Sequence, residues 1–413
     1  MMKKHKLLTR TVGIAITAIL LAGCADGGQA TAPAPTPTPA AASDQAPVNV
    51  DSPEVDEVLI GLIGPWTGAA AQFGIAKHNG AMLYINNFNA RGGLQINTVD
   101  FDDEGDPATA MAGYHWLVDQ GITALIGSVT SAPTLVIVPE AYADNMPMIT
   151  ATATHANVTV NADTGQVWTN MFRSCFIDPF QGVKMADFAS EVLEAQTAAV
   201  LFSNEIDYSI GLMEAFVARA EEIGLEIVAT EVFANEAIDF VGQLTNIAAA
   251  DPDVLFIPAY HQHIALIGPQ GVAAGLDTVM LGADGWSAVL DFMTDPSSVE
   301  GSFFLTGFTT EDESALVQNF INDFEAAYGH QPNMFAAQAY DAAMILVAAI
   351  ELALEQGHLP NTPEFKAAVI ANMAATDIQA VTGRITFDRY NNPQKTAFII
   401  EIREGEDRFW GTF

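Results

Sequence analysis

The sequence has few basic residues: 15 Lys and Arg stand against 50 Asp and Glu, a formal charge of −35 at pH 7. Phosphate backbones and anionic lipid surfaces repel so acidic a chain, which makes nucleic acid a poor partner. Two cysteines are too few for a disulfide framework. No apolar run reaches the roughly 18 residues that span a bilayer. Hydrophobic residues, in contrast, are abundant. They make up 50% of the chain, which is enough for a large buried core.

The N-terminus has the layout of an export signal. Residues 1–10 are basic and carry no acid, and an apolar run follows over 11–21. This order is typical of a secretory signal peptide. The Leu-Ala-Gly that precedes Cys24 resembles the bacterial lipobox, in which small residues precede a cysteine that becomes lipid-modified. We predict a signal peptide over 1–23, a lipidated Cys24 and an extracytoplasmic, membrane-anchored location; the alternative is an ordinary signal peptide with an incidental cysteine.

Residues 24–56 are rich in Pro, Ala and Thr and contain few large apolar side chains. Such a segment buries too little apolar surface to offset the entropy lost on ordering. We predict an extended linker between the lipid anchor and a globular body. The remaining cysteine, Cys175, then has no partner and is expected to be a buried apolar residue.

From residue 57 onward, two kinds of segment alternate. Short apolar segments, such as 58–63 and 254–257, are separated by segments of helical period. Fully apolar strands between such helices indicate parallel sheets covered on both faces. About 350 residues exceed what one such core holds. We therefore predict an α/β protein with two doubly wound parallel-sheet lobes.

The last part of the chain departs from this alternation. Three helical segments are followed by two strands, 383–387 and 396–402, which flank Tyr390-Asn-Asn-Pro393. Turn-forming residues between two such segments are typical of a β-hairpin. We therefore predict that these two strands pair with each other.

The sequence offers little for catalysis or cofactor binding. It has no Walker A motif, and the turn over 61–68 is not the G-x-G-x-x-G of dinucleotide-binding proteins. The acidic run over 102–106 lacks EF-hand spacing and is expected to be a solvated turn. His261 and His263 lack further ligands at zinc spacing, so we expect them to be exposed at a helix start. We predict no cofactor, no metal site and no enzymatic activity.

Two turns that follow predicted strands are rich in hydroxyl groups. In the first, Ser131 suits a helix N-cap and Pro133 suits the first helical turn. The second, over 150–154, reads Thr-Ala-Thr-Ala-Thr. Ligands of open α/β sheets bind at the carboxyl ends of strands, and helix N-termini attract anions. The two turns are candidates for binding one carboxylate; ordinary helix caps are the alternative.

A series of short motifs runs along the globular part in a defined order. They are Gly64-Pro-Trp-Thr-Gly68 with Gln72-Phe-Gly74, Asn86 with Gly92-Gly93, Asp102-Asp103 with Asp106-Pro107, Ile126-Gly127 with Ser131, the threonines over 150–154, Tyr208 with Gly211, Tyr260, Gly282-Ala-Asp-Gly285, Ala339-Tyr-Asp-Ala342, and Gly383 with Phe387-Asp388. In this order and spacing, residues 58–413 resemble the leucine/isoleucine/valine-binding protein family, the amino-acid-type periplasmic binding proteins of ABC importers.

The resemblance implies a type I periplasmic binding protein of the Venus-flytrap kind. Its two α/β lobes would be joined by three crossovers and would close on a ligand between them. In this sequence the N-terminal lobe would comprise 57–176 plus 308–385, and the C-terminal lobe 177–307 plus 386–413.

The resemblance also assigns the polar ends of a bound amino acid. Ser131 and Thr154 match hydroxyls that hold the α-carboxylate, helped by backbone N–H groups near Thr152 and Ser131. Asp284 matches the acid that pairs with the α-ammonium, and Tyr260 matches the tyrosine beside it. Asp284 is one methylene shorter than the Glu of the branched-chain prototype, so the depth of the pocket is expected to differ.

Aromatic residues are assigned to the rest of the site. Trp66 and Phe73 match positions that line the side-chain pocket, and Tyr208 matches an aromatic residue on the facing lobe. Trp286 either narrows the cleft or packs in the core.

These assignments predict the solute-binding component of an ABC importer. It would act as a monomer, bind a small branched-chain or similar hydrophobic amino acid, and deliver it to the membrane permease. Two alternatives stay open: the same fold binding an amide, urea or an aromatic carboxylate, and a lipid-anchored sensor or enzyme.

Overall fold

The first of two large sheets uses the N-terminal strands of residues 55–413, the part of the chain that this computed structural model describes. Its strands are β1 (Glu57–Gly64), β2 (Gln95–Asp102), β3 (Leu125–Ile126), β4 (Met148–Thr150) and β5 (Met171–Arg173). All neighbours pair in parallel, in the order β2-β1-β3-β4-β5. The central strands are almost wholly buried because helices cover both faces, which explains their unbroken apolar sequence.

The second large sheet draws on two separate parts of the sequence. The remaining strands are β6 (Thr197–Ser203), β7 (Glu226–Phe233), β8 (Val254–Phe256), β9 (Val279–Gly282), β10 (Phe303–Thr306), β11 (Asp377–Ala380), β12 (Gly383–Thr386), β13 (Phe398–Arg403) and β14 (Glu406–Thr412). The sheet order is β14-β13-β10-β9-β8-β6-β7. Strands β6 to β10 are parallel, whereas β13 pairs antiparallel with both β10 and β14. Strands β11 and β12 form a small sheet of their own.

Ten α-helices occur among the described residues. They are α1 (Ala71–Asn89), α2 (Pro107–Asp119), α3 (Ser131–Ala143), α4 (Asp178–Glu191), α5 (Asp207–Ile223), α6 (Val241–Ala250), α7 (His261–Ala273), α8 (Ala315–Tyr328), α9 (Met334–Glu355) and α10 (Pro363–Ala374). The starts of several are encoded locally. Asn333, for example, precedes α9, and its side chain accepts a hydrogen bond from the N–H of Ala336. Such a cap satisfies one of the N–H groups that a helix start leaves free.

The late helices return to the first sheet. One hydrophobic cluster joins Leu62 of β1 and Tyr84 of α1 to Leu346 of α9 and Phe365 of α10. The chain therefore passes between the two sheets three times: after β5, after β10 and after β12. The contacts of both sheets place them in one unit that ends at Phe413. The lobe boundaries given above stay a prediction.

The hairpin predicted near the C-terminus is wrong. Strand β12 pairs with β11 through a tight turn, and β13 pairs with β10 and with β14. The intervening segment holds only an isolated antiparallel bridge between Phe387 and Pro393. Turn-forming residues mark a change of direction. Here the chain passes from the small sheet of β11 and β12 to the second large sheet, so the two flanking strands pair with different neighbours.

Helix α9 is long and apolar enough, by length and composition, to cross a membrane. Gln338 and Asp341 interrupt its apolar sequence, and 67% of its most apolar window is buried within the protein. The helix therefore serves as a core element that packs on α1 and α10.

The predicted signal peptide, the lipidated Cys24 and the linker up to residue 54 lie outside the described residues. Cys175, by contrast, is described. It is a free, fully buried cysteine whose Sγ donates to the carbonyl of Ala153 at 3.5 Å. Burial raises the pKa of its thiol to about 12, which keeps it protonated. The expectation of a buried, apolar-like cysteine is confirmed.

Candidate ligand-binding site

A cavity lies where loops from the first sheet meet loops from the second. It contains about 250 Å³ of space outside the protein atoms. It is lined by Phe73, Val129, Thr130, Ser131, Thr152, Thr154, Tyr208, Tyr260, Asp284, Gly285 and Phe335. The structure thus brings together all the residues predicted for ligand binding except Trp66 and Trp286.

The first-sheet wall is built from the two hydroxyl-rich turns. Thr152 Oγ1 donates to the carbonyl of Val129 at 2.8 Å, and Thr150 Oγ1 donates to the carbonyl of Ser128 at 2.8 Å. These bonds fix one turn against the other. They also occupy the donor of Thr152, so its hydroxyl holds the wall in place while other groups face the cavity.

Ser131 does not have the capping role predicted for it. The N-cap of α3 is Thr130, and Ser131 is the first helical residue. Its Oγ accepts from the backbone N–H of His155 at 3.3 Å. Because the first N–H groups of a helix have no partner within the helix, the start of α3 offers donors and a positive dipole end at this wall. The combination suits an anion.

Asp284 dominates the opposite wall. It follows β9 in a 3₁₀ turn and is 3% exposed. Its Oδ1 accepts from Tyr208 Oη at 2.8 Å and from Gln181 Nε2 at 3.1 Å. These two bonds converge on one oxygen and leave Oδ2 for another donor. Burial raises the pKa of this carboxyl to about 6, although Tyr208 and Gln181 act in the opposite direction.

Neighbouring groups hold Asp284 in place. Gln181 Oε1 accepts from the backbone N–H of Asp284 at 3.0 Å, and Tyr208 Oη accepts from the N–H of Gly285 at 2.8 Å. A Cβ on Gly285 would lie 2.7 Å from Tyr208 Oη, so only glycine leaves room for this bond. The acid is therefore orientated by a network that leaves little rotational freedom.

Aromatic rings close the remaining sides of the cavity. Tyr208 stacks on Tyr260 with centroids 4.7 Å apart and an interplanar angle of 11°. Phe73 stacks on Phe335 at 4.3 Å and meets Tyr260 edge-on at 5.9 Å. These rings give the cavity an apolar end next to its polar walls.

The two predicted tryptophans lie outside the cavity lining. Trp286 is fully buried, its Nε1 donates to the carbonyl of Ile257 at 2.9 Å, and it packs on Phe304. It is a core residue, because the 3₁₀ turn directs it under β9 rather than towards the cleft. Trp66 is half-buried on the far side of the loop after β1, where its ring meets His78 edge-on at 5.4 Å.

The two histidines are not exposed, contrary to expectation. His261 is fully buried between Phe73, at 4.3 Å, and Phe292, at 4.0 Å. Burial lowers its pKa to about 4. His263 is 4% exposed, and its Nε2 lies 2.8 Å from the carbonyl of Asn235. Neither belongs to a metal site: within residues 55–413, no group of three His, Cys, Asp or Glu side chains is arranged to hold an ion.

The acidic turn after β2 is only partly solvated. Asp102 Oδ1 accepts from the N–H of Trp66 at 2.8 Å and so anchors the loop after β1. Asp103 is fully buried and accepts from Ser128 Oγ, which ties this turn to the loop before α3. The run therefore braces the first-sheet wall of the cavity.

Sequence reasoning missed Phe335, Gln181 and Asp178. Phe335 stands in α9, far along the chain, and no local pattern connects it with Phe73. Gln181 and Asp178 lie in the first turn of α4, where Pro179 is the only local signal, and it marks a helix start rather than a site.

Comparisons with known proteins agree with this geometry. A family model described as "Periplasmic binding protein" matches residues 57–407. The chain is 25% identical over 350 residues to the leucine-, isoleucine-, valine-, threonine-, and alanine-binding protein of Pseudomonas aeruginosa, covering 84% of this chain and 89% of that one. The motif-based resemblance is thereby confirmed.

Solved structures give the same result. The branched-chain amino acid transporter substrate binding protein of Streptococcus pneumoniae, in complex with isoleucine, has a TM-score of 0.78, 29% identity and coverage of 86% of this chain and 99% of its own. A solute binding protein of R. palustris in complex with benzoate has a TM-score of 0.76, 23% identity and coverage of 86% and 96%, and shows the fold alone. The predicted α/β fold is confirmed. The chain belongs to the periplasmic binding protein family, and the relatives it matches are solute-binding proteins rather than enzymes.

Proposed function

We propose that this protein is the amino-acid receptor of an ABC importer. One observation carries the proposal: a hydroxyl-lined helix start faces a buried carboxylate across one small cavity. A zwitterion needs both an anion site and a cation site at a fixed separation. Ser131 and Thr154 on one wall and Asp284 on the other supply this pair.

The ligand's α-carboxylate is assigned to the start of α3. There the N–H groups of the first turn, Ser131 Oγ and Thr154 supply donors, and the helix dipole favours negative charge. The α-ammonium is assigned to Oδ2 of Asp284, beside Tyr260. A buried carboxylate without a counterion is costly, so a charged Asp284 selects against ligands that lack the ammonium group.

The side chain of the ligand is assigned to the apolar end formed by Phe73 and Phe335. A short aliphatic side chain suits this space. The name of the Pseudomonas aeruginosa relative, a leucine-, isoleucine-, valine-, threonine-, and alanine-binding protein, supports the same ligand class.

Binding would favour a closed arrangement of the two lobes. The ligand would touch elements attached to both sheets, so it stabilises the arrangement in which both sets of contacts form. We propose the lobe boundaries stated above on this basis, with the three passages between the sheets as the hinge. A membrane permease would then recognise the closed form.

Ligand binding is expected to depend on pH. The Asp284 carboxyl has a pKa of about 6, and its charged form attracts the ammonium. Protonation at lower pH removes this attraction, so affinity for a zwitterion should fall about tenfold from pH 7.5 to pH 5. Calorimetric titration with L-leucine across this range measures the change. Unchanged affinity at pH 5 would show that the acid does not pair with the ammonium.

The class of ligand is tested by a thermal-shift screen. The purified protein is unfolded and refolded to remove bound molecules, and then assayed with the 20 standard amino acids, urea, short amides and aromatic carboxylates. A ligand at 100 times its dissociation constant should stabilise the protein by about 2.7 kcal/mol. Shifts confined to a few related amino acids support the proposal. Shifts only with carboxylates or amides would favour the alternative, in which a protonated Asp284 donates a hydrogen bond.

Membrane attachment is tested by Cys24→Ala. If the lipobox interpretation is right, removing the thiol removes the lipid attachment, and the protein should move from the membrane fraction to the soluble fraction. Fractionation and immunoblotting measure the distribution, with Cys175→Ala as the matched control. A Cys24→Ala variant that stays in the membrane fraction would contradict a lipid anchor.

A further inference from the structure

Asp178 is a buried acid that the protein leaves without a partner. It is the first residue of α4 and is fully buried. Neither of its carboxyl oxygens has a hydrogen-bond partner of good geometry among residues 55–413, although the Thr154 hydroxyl lies close enough to lower its pKa. Acids in the first turn of a helix commonly accept from nearby N–H groups. Here Pro179 has no N–H, and the N–H groups of Phe180 and Gln181 bond to the carbonyl of Ile177 instead.

The Asp178 carboxyl lies beside Thr154 and Tyr208, two of the residues that line the cavity. The backbone N–H of Asp178 donates to the carbonyl of Thr154 at 2.9 Å. A Cβ on Gly211, one turn after Tyr208, would lie 3.1 Å from Asp178 Oδ2. Gln181, one turn further along α4, bonds to Asp284. Asp178 is therefore enclosed by Thr154, by Tyr208 and by Gln181, the residue that holds Asp284 in place.

The nearest cation does not neutralise it. The Arg173 guanidinium donates to the carbonyls of Ala153 and His155, both at 3.0 Å, and to Thr159 Oγ1 at 3.2 Å. Burial raises the pKa of Asp178 well above the ordinary value, although the nearby Thr154 hydroxyl and, less strongly, the charge of Arg173 act in the opposite direction. A buried, unpaired carboxyl is costly, and such cost is typically retained where function requires it.

Several titratable groups surround Asp178, and they come from every element packed against it. They are Arg173 at the end of β5, Cys175 just after it, His155 from the turn after Thr154, Asp207 and Tyr208 from α5, Tyr260 just before α7, and Asp284 from the turn after β9. Among the charges that raise the pKa of Tyr260, after burial, Asp178 is the largest. The carboxyl therefore acts on the same tyrosine that lies beside Asp284.

We propose that Asp178 is a second acceptor for the ligand's ammonium group, so that the cation subsite is a pair of carboxyls, Asp178 and Asp284. The inference rests on the proposed function and deepens it. A primary ammonium has three N–H donors, and each needs an acceptor once water is excluded. Asp284 Oδ2 accepts one of them, and Asp178 accepts another. The pair selects primary ammonium ligands over carboxylates or amides of the same shape.

The test uses matched ligands with and without the ammonium group. L-leucine, L-alanine and L-phenylalanine are titrated calorimetrically at pH 7.5, beside 4-methylpentanoate, propanoate and 3-phenylpropanoate. Asp178→Asn should weaken binding of whichever amino acid the wild type binds by at least tenfold, equal to about 1.4 kcal/mol. The variant should bind the desamino acids as weakly as the wild type does, or more tightly.

Asp207→Asn is the control. Asp207 lies in the first turn of α5 and contributes negative charge to the same surroundings, but it is half-buried, so solvent screens its charge in part. Its replacement should change affinity by less than twofold. An equal loss in both variants would mean that general charge, not a contact, is responsible, and would overturn the proposal.

Stability separates a ligand contact from a structural role. The folded pKa of Asp178 lies above its unfolded value, so the carboxyl destabilises the native state increasingly as pH rises from about 4 towards the folded pKa. Without added amino acid, Asp178→Asn should melt at the wild-type temperature or above at pH 7.5. A lower melting temperature with unchanged affinity would assign Asp178 to structure. Wild-type protein that binds none of the three amino acids would overturn the proposed function and this inference together.

Discussion

Asp284→Asn is expected to weaken amino-acid binding at pH 7.5 by roughly 30-fold to several thousand-fold. The change preserves the shape of the side chain and removes its charge, which leaves the ligand's ammonium buried beside a neutral amide. Loss of one partner of a buried charge pair costs about 2–5 kcal/mol. Tyr208 and Gln181 can still bond to the Asn side-chain oxygen, so the fold should remain intact. Isothermal titration calorimetry with L-leucine measures the loss.

Asp163→Asn is the matched control for this variant. Asp163 lies in an exposed turn away from the cavity, and its replacement removes the same charge from a surface already far from neutral. It should leave affinity unchanged. If Asp284→Asn binds L-leucine as tightly as this control does, the ammonium lies elsewhere and the zwitterion arrangement is wrong.

Gly80→Ala is expected to destabilise the protein by about 1–3 kcal/mol. Gly80 lies in the middle of α1, where glycine costs roughly 1 kcal/mol relative to alanine. The packing of α1 against α9 explains why glycine is present: an added Cβ would lie 2.0 Å from the backbone oxygen of Ala336 at the start of α9. Backbone cannot rotate away as a side chain can, so the helices must separate. Overpacking of this kind typically costs 1–3 kcal/mol.

Gly242→Ala provides the comparison within the same chain. Gly242 also lies in a helix, α6, but nothing is within 4 Å of the position that a Cβ would occupy. This variant should be neutral or up to about 1 kcal/mol more stable. Urea unfolding measures the stability of both variants, as the change in the denaturation midpoint at constant dependence on urea concentration. Similar midpoints for the two variants would show that the approach of α1 to α9 does not require glycine.

Periodicity was sufficient to predict most of the fold. The apolar segment 58–63, for example, falls within β1, and 254–257 covers β8. Such signals depend on only a few neighbouring residues, so folding preserves them. Short strands such as β5 and β10, of three and four residues, carry no comparable periodicity signal.

Errors concentrated where burial depends on distant residues. His261 looked exposed because it begins a helix, but Phe73 and Phe292 cover it. The sequence left two positions open for Trp286, and the 3₁₀ turn directs it into the core, although Asp284 two residues earlier faces the cavity. Strands β12 and β13 were paired because they are close in sequence, whereas each joins a different sheet.

The α/β alternation, the hydroxyl-rich turns after two strands and, through ordered motifs, the family are all predictable from the sequence. They follow from local periodicity, caps and residue chemistry, which a single segment carries. The contact of Phe335 with Phe73, the hydrogen bonds from Gln181 to Asp284 and the burial of Asp178 appear only in the folded protein. Those facts depend on which segments meet after three passages between the sheets. Hydrogen bonding and burial are properties of such meetings, so no single stretch of sequence encodes them.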